Sequence, residues 1–315
     1  MSTKSGPVVV LSGGVGGAKL ALGLYRILPE QSLSVVVNTG DDFNHYGLRI
    51  CPDLDTALYT LADLSDKEQG WGRANESWQC LQTLAELGGD NWFRLGDRDL
   101  ALHLLRTQHL SEGATLTQCI HRLAANMGIG AQILPMSDQV VATELATDQG
   151  RLPFQEYFVR RQCQPVVESM HYTGAEVAQP SDEVLSALAQ PDLRAIVIAP
   201  SNPYLSVAPI LSIVGMKAAL QRASAPVIAV SPVIGGAAVK GPTAKIMQEL
   251  NLQPSALTVA NFYKDLIDGF VLDTTDESLL SQLPVAGLST NTLMTSLPDR
   301  ERLAEEVLGF ADQLR

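Results

Sequence analysis

Four carboxylates, Asp41, Asp42, Asp53 and Asp55, fall within fifteen positions of one another. A single Asp of this kind is an ordinary helix cap or turn residue. Four together beside a glycine-rich turn point instead to a hard divalent cation, which takes carboxylate oxygens and bridges phosphates. The turn is Ser12-Gly13-Gly14-Val15-Gly16-Gly17, followed by Ala18-Lys19. Gly13, Gly14, Gly16 and Gly17 remove side chains where backbone N–H groups can close on phosphate oxygens at a helix start. The spacing matches neither the dinucleotide fingerprint nor the P-loop, so a plain tight strand–helix turn is the competing reading. Trp71 and the run Trp92-Phe93-Arg94-Leu95-Gly96-Asp97-Arg98-Asp99 place aromatics beside cations, a pairing suited to flat rings and anions. Asp97 and Asp99 read equally well as helix caps. His103 and His109 lack metal spacing and read as structural. No serine elbow or cysteine nucleophile stands out.

These residues need elements to position them. Val8–Leu11 reads as a strand, the glycine turn leads into a helix over Ala18–Leu28, and Leu33–Val37 is a second strand ending at Asn38-Thr39-Gly40-Asp41-Asp42. Strand, helix, strand is the start of a parallel α/β sheet. Helical spacing follows over Asp55–Leu64, Glu76–Leu87, Asp99–Arg106 and Thr117–Met127. Gln139–Leu145 and Phe154–Val159 alternate around Asp148-Gln149-Gly150, which predicts a hairpin. Residues 131–180 therefore read as a small strand-rich insertion, and residues 1–130 and 181–315 as one doubly wound core. In the second part, Ala195–Ala199, Val227–Val230 and Gly269–Leu272 read as strands, with helices over Ile210–Arg222, Lys245–Leu250 and Arg300–Leu314. Ligands of such sheets sit beyond the carboxyl ends of the strands. That rim would gather the glycine turn, the Asp pair, Ser201-Asn202, and the segment from Ser231 through Gly235-Gly236 to Lys240.

Composition narrows the class. Of 315 residues, 46% are hydrophobic and 18% charged, and the formal net charge is −12. An acidic protein is a poor partner for nucleic acid, although a metal and local donors can still hold a small anion. Cys51, Cys80, Cys119 and Cys163 have no metal or redox spacing and read as reduced thiols. No signal-like segment and no run of about 20 apolar residues is present, so the expected setting is the cytoplasm, away from membranes.

Several segments together resemble one family. Leu11–Leu20, Asn38–Asp42, Cys51-Pro52-Asp53-Leu54-Asp55-Thr56, Leu95–Asp99, Leu134–Asp138, Ser201-Asn202-Pro203, Ser231–Gly236, Lys240-Gly241-Pro242 and Leu293-Met294-Thr295 are similar, in order, to motifs of the 2-phospho-L-lactate transferase family (CofD/FbiA). The resemblance implies a Rossmann-like doubly wound core and an enzyme of coenzyme F-420 biosynthesis. Such an enzyme moves a phospholactyl-type group (phospholactate, phosphoenolpyruvate or 3-phosphoglycerate) from a guanosine diphosphate adduct to the deazaflavin Fo, releasing GMP. It further implies magnesium, a homodimer, and Asp55 and Arg94 at Fo, the latter being Lys in some relatives. On that basis Asp42 and Asp53 are expected to hold the metal, and Asp55 to position or deprotonate the Fo hydroxyl, with Asp42 also in the catalytic set. Gly13, Gly14, Gly16, Gly17, Ser201, Asn202, Ser231, Gly235 and Gly236 are expected to cradle the nucleotide, with Lys19 and Lys240 as phosphate partners. Two alternatives stay open: a non-catalytic nucleotide-sugar-binding regulator of the YvcK type, and a dinucleotide oxidoreductase. The run Phe43-Asn44-His45-Tyr46-Gly47, where the regulators carry a Gly-Ser-rich segment, favours the transferase.

Overall fold

Short apolar runs without polar alternation make strands that are covered on both faces, and this chain builds its centre from them. The computed structural model describes residues 5–239 and 241–315; Lys240, expected at the phosphate, lies outside the described residues. The first part runs β1 (Val8–Ser12), α1 (Gly14–Ile27), β2 (Leu33–Val37), β3 (Phe43–His45), β4 (Leu48–Ile50), α2 (Pro52–Leu61), α3 (Gln79–Glu86), α4 (Asp97–Ser111), α5 (Leu116–Asn126) and β5 (Gln132–Pro135). Next come β6 (Ala142–Thr147), β7 (Gly150–Pro153) and β8 (Val167–Thr173). The chain then passes through α6 (Asp182–Leu188), β9 (Ala195–Ile198), α7 (Ala208–Ser212), α8 (Met216–Arg222), β10 (Val227–Val230), β11 (Val233–Ile234) and β12 (Ala237–Ala238). It closes with α9 (Thr243–Glu249), α10 (Ala256–Tyr263), β13 (Gly269–Asp273), β14 (Ala286–Thr290) and α11 (Leu297–Gln313).

Seven strands form the central sheet in the order β14-β13-β10-β9-β1-β2-β5. Each pairing is parallel, so the expected mostly parallel sheet is parallel throughout. Counted from β1, the order grows outward through β2 and β5 on one side and through β9, β10, β13 and β14 on the other. The chain therefore reverses direction across the sheet between β1 and β9, and a ligand crevice opens at such a switch point. Side chains alternate between the two faces. Val8 and Val10 join α1, α2, α5 and α11 in one core, while Val9 and Leu11 join α6 to α10 and the antiparallel sheet in the other.

The structure corrects several expectations. Gln132–Pro135, placed by sequence in the strand-rich insertion, is the outer strand of the central sheet, paired with β2. The antiparallel sheet β7-β6-β8 is what remains of the insertion, and Leu145, Leu152 and Val167 bury it in the core of one sheet face. Phe154–Val159 is not a returning strand: Glu156–Arg160 makes one π-helical turn. Its Phe154, Tyr157 and Phe158 keep i, i+3, i+4 spacing, so that Phe154 stacks on Phe158 at 5.2 Å and Tyr157 is buried. The helix expected over Ile210–Arg222 breaks at Gly215, whose φ of 86° lies in the left-handed region. The helix α10, capped by Ser255 accepting from the Thr258 amide, and the edge strand β14 are elements the sequence reading lacked. Among the described residues, no single helix is long and apolar enough to cross a membrane.

Helix α1 packs along α11, and Gly23 makes the approach possible, because a Cβ there would fall onto the Arg300 carbonyl. Helix propensity alone favours Ala over Gly by about 1 kcal/mol, whereas forcing an extra carbon into packed backbone costs about 1–3 kcal/mol. Gly23→Ala should therefore lower the melting temperature by several degrees. An unchanged or raised value would show that the α1–α11 contact can open.

Candidate active site

Five chain segments meet at the β1/β9 switch point: the glycine turn after β1, Asn38–Asp42 after β2, the start of α2, Ser201-Asn202 after β9, and the β3–β4 hairpin. They are stitched together by short polar contacts. The Gly14 amide, at the first turn of α1, donates to Asp53 Oδ1 at 2.7 Å, and Asn38 Nδ2 donates to Asp53 Oδ2 at 3.0 Å. Ser201 Oγ accepts from the Gly13 amide at 3.2 Å and donates to the Gly13 carbonyl at 2.8 Å. Asn38 itself is fully buried, and its Oδ1 accepts from the Gly40 amide at 2.8 Å.

The glycines have a packing duty. A Cβ at Gly13 would stand 2.5 Å from Ser206 Cβ, one at Gly16 2.5 Å from the Pro200 carbonyl oxygen, and one at Gly17 2.5 Å from both Ser12 Oγ and Ser201 Oγ. Close approach of three segments thus requires them, ligand or not. The amides of Gly13 and Gly14 are already engaged, so the next N–H groups of the helix start, at Val15 and Gly16, are the ones helix geometry leaves without an internal partner. Lys19 Nζ donates to the Met294 carbonyl at 3.0 Å, tying α1 to the segment before α11. Asn202 caps the following turn by accepting from the Tyr204 and Leu205 amides, which leaves its buried Nδ2 without a partner among the described residues. Ser231 closes its own turn with the Val233 amide and carbonyl, and the Gly235 amide donates to Asp276 Oδ2 at 2.9 Å. Gly235 and Gly236 both adopt positive φ.

The acids divide into two neighbourhoods. Asp41 and Asp53 share Asn38. Burial raises Asp41 well above the usual carboxylate range, the Asp53 charge adds to this, and Asn38 opposes it. Asp53 is pushed up to about 6, by burial first, with Asn38 and the Gly14 amide pulling it down. Asp42 faces Arg49, whose Nη2 lies 3.2 Å from Asp42 Oδ2. Burial pushes Asp42 up to about 7 even so. Among the described residues, Asp41 Oδ1 and Asp42 Oδ1 are buried without a hydrogen-bond partner. Among the described residues, no three acidic, His or Cys side chains converge so as to hold a metal by themselves. A hollow of about 420 Å³ opens beside Arg49, lined also by Asn44, Thr107, Ser111 and Asp138.

Asp55 has a partner that the sequence did not reveal. Arg106, with no exposed surface, pairs with both its oxygens: Nη2 with Oδ1, and Nη1 with Oδ2 at 3.3 Å. Burial raises Asp55, and the Arg106 charge and hydrogen bonds draw it back. Burial works against the charge on Arg106 too, but Asp55, Cys51 and Asp42 together outweigh it and leave the guanidinium above its ordinary range, hence charged. His103 is lowered to about 4, mainly by burial and then by the Arg106 charge. Its ring is therefore neutral near pH 7, so the 3.7 Å approach to Asp55 is not an ion pair, and Nδ1 can accept from Arg106 Nη1 at 3.3 Å. Tyr59 donates to Asp99 Oδ1 at 2.5 Å beside this group. A signal was present in the sequence: Asp99, His103 and Arg106, spaced four and three apart, form a polar stripe on one helix face, and that face is turned inward.

Arg94 is exposed and stacks on Trp78 with its guanidinium carbon 4.3 Å from the ring centre. Trp92 takes its cation from the π-helical turn instead, Arg160 at 5.9 Å. Phe43, His45, Trp92 and Phe93 form one half-buried ring cluster. Asp97 is a cap, accepting from the Gln79 and Cys80 amides at the start of α3.

Comparison with known proteins places the chain in a family. The family model "2-phospho-L-lactate transferase CofD" matches residues 8–306. A phosphoenolpyruvate transferase of Kitasatospora aureofaciens is 41% identical over 318 residues, 98% of each chain. A 2-phospho-L-lactate transferase of Methanosarcina acetivorans is 41% identical over 308 residues, 97% of this chain and 99% of its own. The enzyme of the same name from Methanocaldococcus jannaschii is 37% identical over 311 residues, 98% of this chain and 99% of its own. Among solved structures, a UPF0052-family protein from Bacillus halodurans superposes with a TM-score of 0.64, covering 98% of this chain and all of that one, at 16% identity. That likeness concerns the fold alone.

Asp42 supplies a test of the burial argument. Its proton is held to about pH 7 in the folded state but is released near 4 when unfolded, so its contribution to stability is complete below about pH 4 and is lost as pH rises to about 7. In metal-free protein, the stability of Asp42→Asn relative to wild type should rise by about 2–3 kcal/mol between pH 5 and 8 in urea unfolding. A flat difference would mean that Asp42 is ionised throughout.

Proposed function

The chain belongs to the 2-phospho-L-lactate transferase CofD family, and from this we propose that it transfers a phospholactyl-type group from a guanosine diphosphate adduct to the hydroxyl of Fo, releasing GMP, in coenzyme F-420 biosynthesis. The observation that carries the reading is the cluster of segments at the β1/β9 switch point. It combines the open helix start of α1 with buried carboxylates, Asp41 and Asp42, each with one oxygen lacking a partner among the described residues. Phosphoryl-type transfer asks a protein mainly to position two reactants and to neutralise charge on the phosphoryl oxygens.

In this reading the nucleotide phosphates lie over the start of α1, beside Ser201 and Asn202, with the unsatisfied Asn202 Nδ2 as a donor toward them. The Fo hydroxyl lies at Asp55, which accepts its hydrogen bond and orients its oxygen toward phosphorus. The new O–P bond forms as the bond from phosphorus to the GMP oxygen breaks. The hydroxyl proton leaves to Asp55, the carboxylate that accepts its hydrogen bond, while Asp42 would serve the metal. Arg94 serves the deazaflavin edge.

Magnesium fits the residues present. Buried carboxylate oxygens without partners, at Asp41 and Asp42, are the donors a hard cation takes. Asp53 retains lone pairs beside the Gly14 and Asn38 bonds. One or two carboxylates plus substrate phosphates are a usual magnesium shell, so fewer than three converging acids is no obstacle. When bound, the ion would neutralise charge on the phosphoryl oxygens. Unpaired thiols at all four cysteines are in keeping with a reducing, cytoplasmic setting. The homodimer belongs to the same reading and is open to sedimentation analysis.

Relatives named for phosphoenolpyruvate and for 2-phospho-L-lactate are equally similar, at 41% identity each, so identity does not choose the donor. The test is an anaerobic assay with Fo, magnesium and each of the three guanosine diphosphate adducts, following GMP and the deazaflavin product by chromatography. Product with one adduct is expected and names the donor; no product with any would overturn the reading. Asp55→Asn should reduce turnover at least about 100-fold. It should also cost about 3 kcal/mol of stability, because Arg106 would remain charged in a dry site.

A further inference from the structure

The proposed reaction assigns work to Asp55 and Asp42 but none to the group behind them. Arg106 has no exposed surface and His103 2%, whereas 9% of the Asp55 side chain is exposed. Besides His103 Nδ1, Arg106 reaches three acceptors: the two Asp55 oxygens and, through Nη1, the Arg49 carbonyl at 3.2 Å. Arg49 in turn reaches Asp42 Oδ2 through its guanidinium at 3.2 Å, and its amide donates to Thr107 Oγ1 at 2.9 Å on the same helix as Arg106. One guanidinium thus touches one working carboxylate directly and holds the backbone of the residue that touches the other. His103 Nδ1 lies 3.3 Å from Nη1 on the same helix face.

We propose that Arg106 is a positioning residue for the transfer: it fixes the Asp55 carboxylate toward the acceptor hydroxyl and, through the Arg49 backbone, holds strand β4 so that Arg49 meets Asp42. The inference rests on the transferase reading. The planar fork is the reason for the residue type, since an arginine presents parallel donors to both carboxylate oxygens while a further N–H serves the carbonyl. A lysine keeps the charge but offers one ammonium nitrogen, which cannot meet three separated acceptors at the same positions. Burial makes the alignment strict, because water does not reach Arg106 to substitute for a lost contact.

The test compares wild type, Arg106→Lys, Arg106→Gln, Asp55→Asn and the double variant Asp55→Asn/Arg106→Gln. Transfer kinetics are followed with each substrate varied in turn, Fo affinity by its fluorescence, and folding by thermal melting. Arg106→Lys should fold, lose about ten-fold or more in kcat with Fo, and keep its KM for the guanosine diphosphate adduct within about three-fold. Wild-type kcat and KM in Arg106→Lys would overturn the proposal, as would an equal loss on both substrates, the mark of general damage. If neither Arg106 single variant folds, the double variant decides, because it leaves no unpaired buried charge. Acting through Asp55, Arg106→Gln should change Fo affinity less than about three-fold once Asp55 is already Asn. A further ten-fold loss in that background would show that Arg106 acts on its own and would sink the idea. Absent wild-type turnover would overturn the transferase reading and this role together, whereas normal wild-type turnover with an undiminished Arg106→Lys removes only the role.

Discussion

Asp53 is the joint on which the working end of this molecule depends. One oxygen takes the amide of Gly14, the first residue of α1, and the other takes the side chain of Asn38 at the end of β2. A carboxylate at a helix N-terminus is favoured by the partial positive charge there, and the bond to Asn38 fixes the strand that delivers Asp41 and Asp42. Remove that bridge, and the start of α2 loses its direct tie to the glycine turn and to Asn38, while β1 and β2 remain paired. The remaining contacts, Ser201 on Gly13 and Asn38 on Gly40, refine a geometry that Asp53 sets.

Burial governs the chemistry that this geometry permits. Each acid of the cluster is shifted toward its protonated form by desolvation, and each is answered differently: Asp53 by amides, Asp42 by Arg49 and the Cys51 thiol, Asp55 by Arg106, and Asp41 by Asn38. Asp42 and Asp53, brought to about 7 and about 6, can exchange protons or accept a cation within the physiological range. The arrangement is costly in the absence of ligand, since orphaned carboxylate oxygens lack the hydrogen bonds that water would give them. A site that is partly unsatisfied when empty is stabilised by what it binds, which is the behaviour expected of a crevice for polyanionic substrate and metal.

The switch-point location explains why so few elements suffice. Parallel strands diverge at β1 and β9, and only there do the loops after them separate to leave a crevice. The antiparallel sheet β7-β6-β8 does not stand apart from this. Gln155 donates to the Asp41 carbonyl and Tyr172 to the Tyr204 carbonyl, while the Thr143 amide donates to the Gly40 carbonyl. The insertion thus holds the Asp-bearing turn from the side opposite α2.

Sequence alone determined the alternation of apolar runs and helices, the strand that ends in the Asp pair, and the motifs that place the chain in its family, because these depend on local periodicity and on residue order. It also located the acids, the glycine turn and Ser201-Asn202 at one rim, since in a parallel sheet the ends of strands must lie together. It misplaced Gln132–Pro135, because membership of a sheet edge is decided by which neighbour offers unpaired backbone, and it misread Phe154–Val159, where a short apolar pattern satisfies both periods. Only the tertiary structure revealed the partners. Arg106 lies 51 positions from Asp55, and His103 reads as an unremarkable helix residue until that face of α4 is seen turned inward. Ion pairing, desolvation and the assignment of each oxygen depend on distances across the fold, and no local rule of residue spacing encodes those.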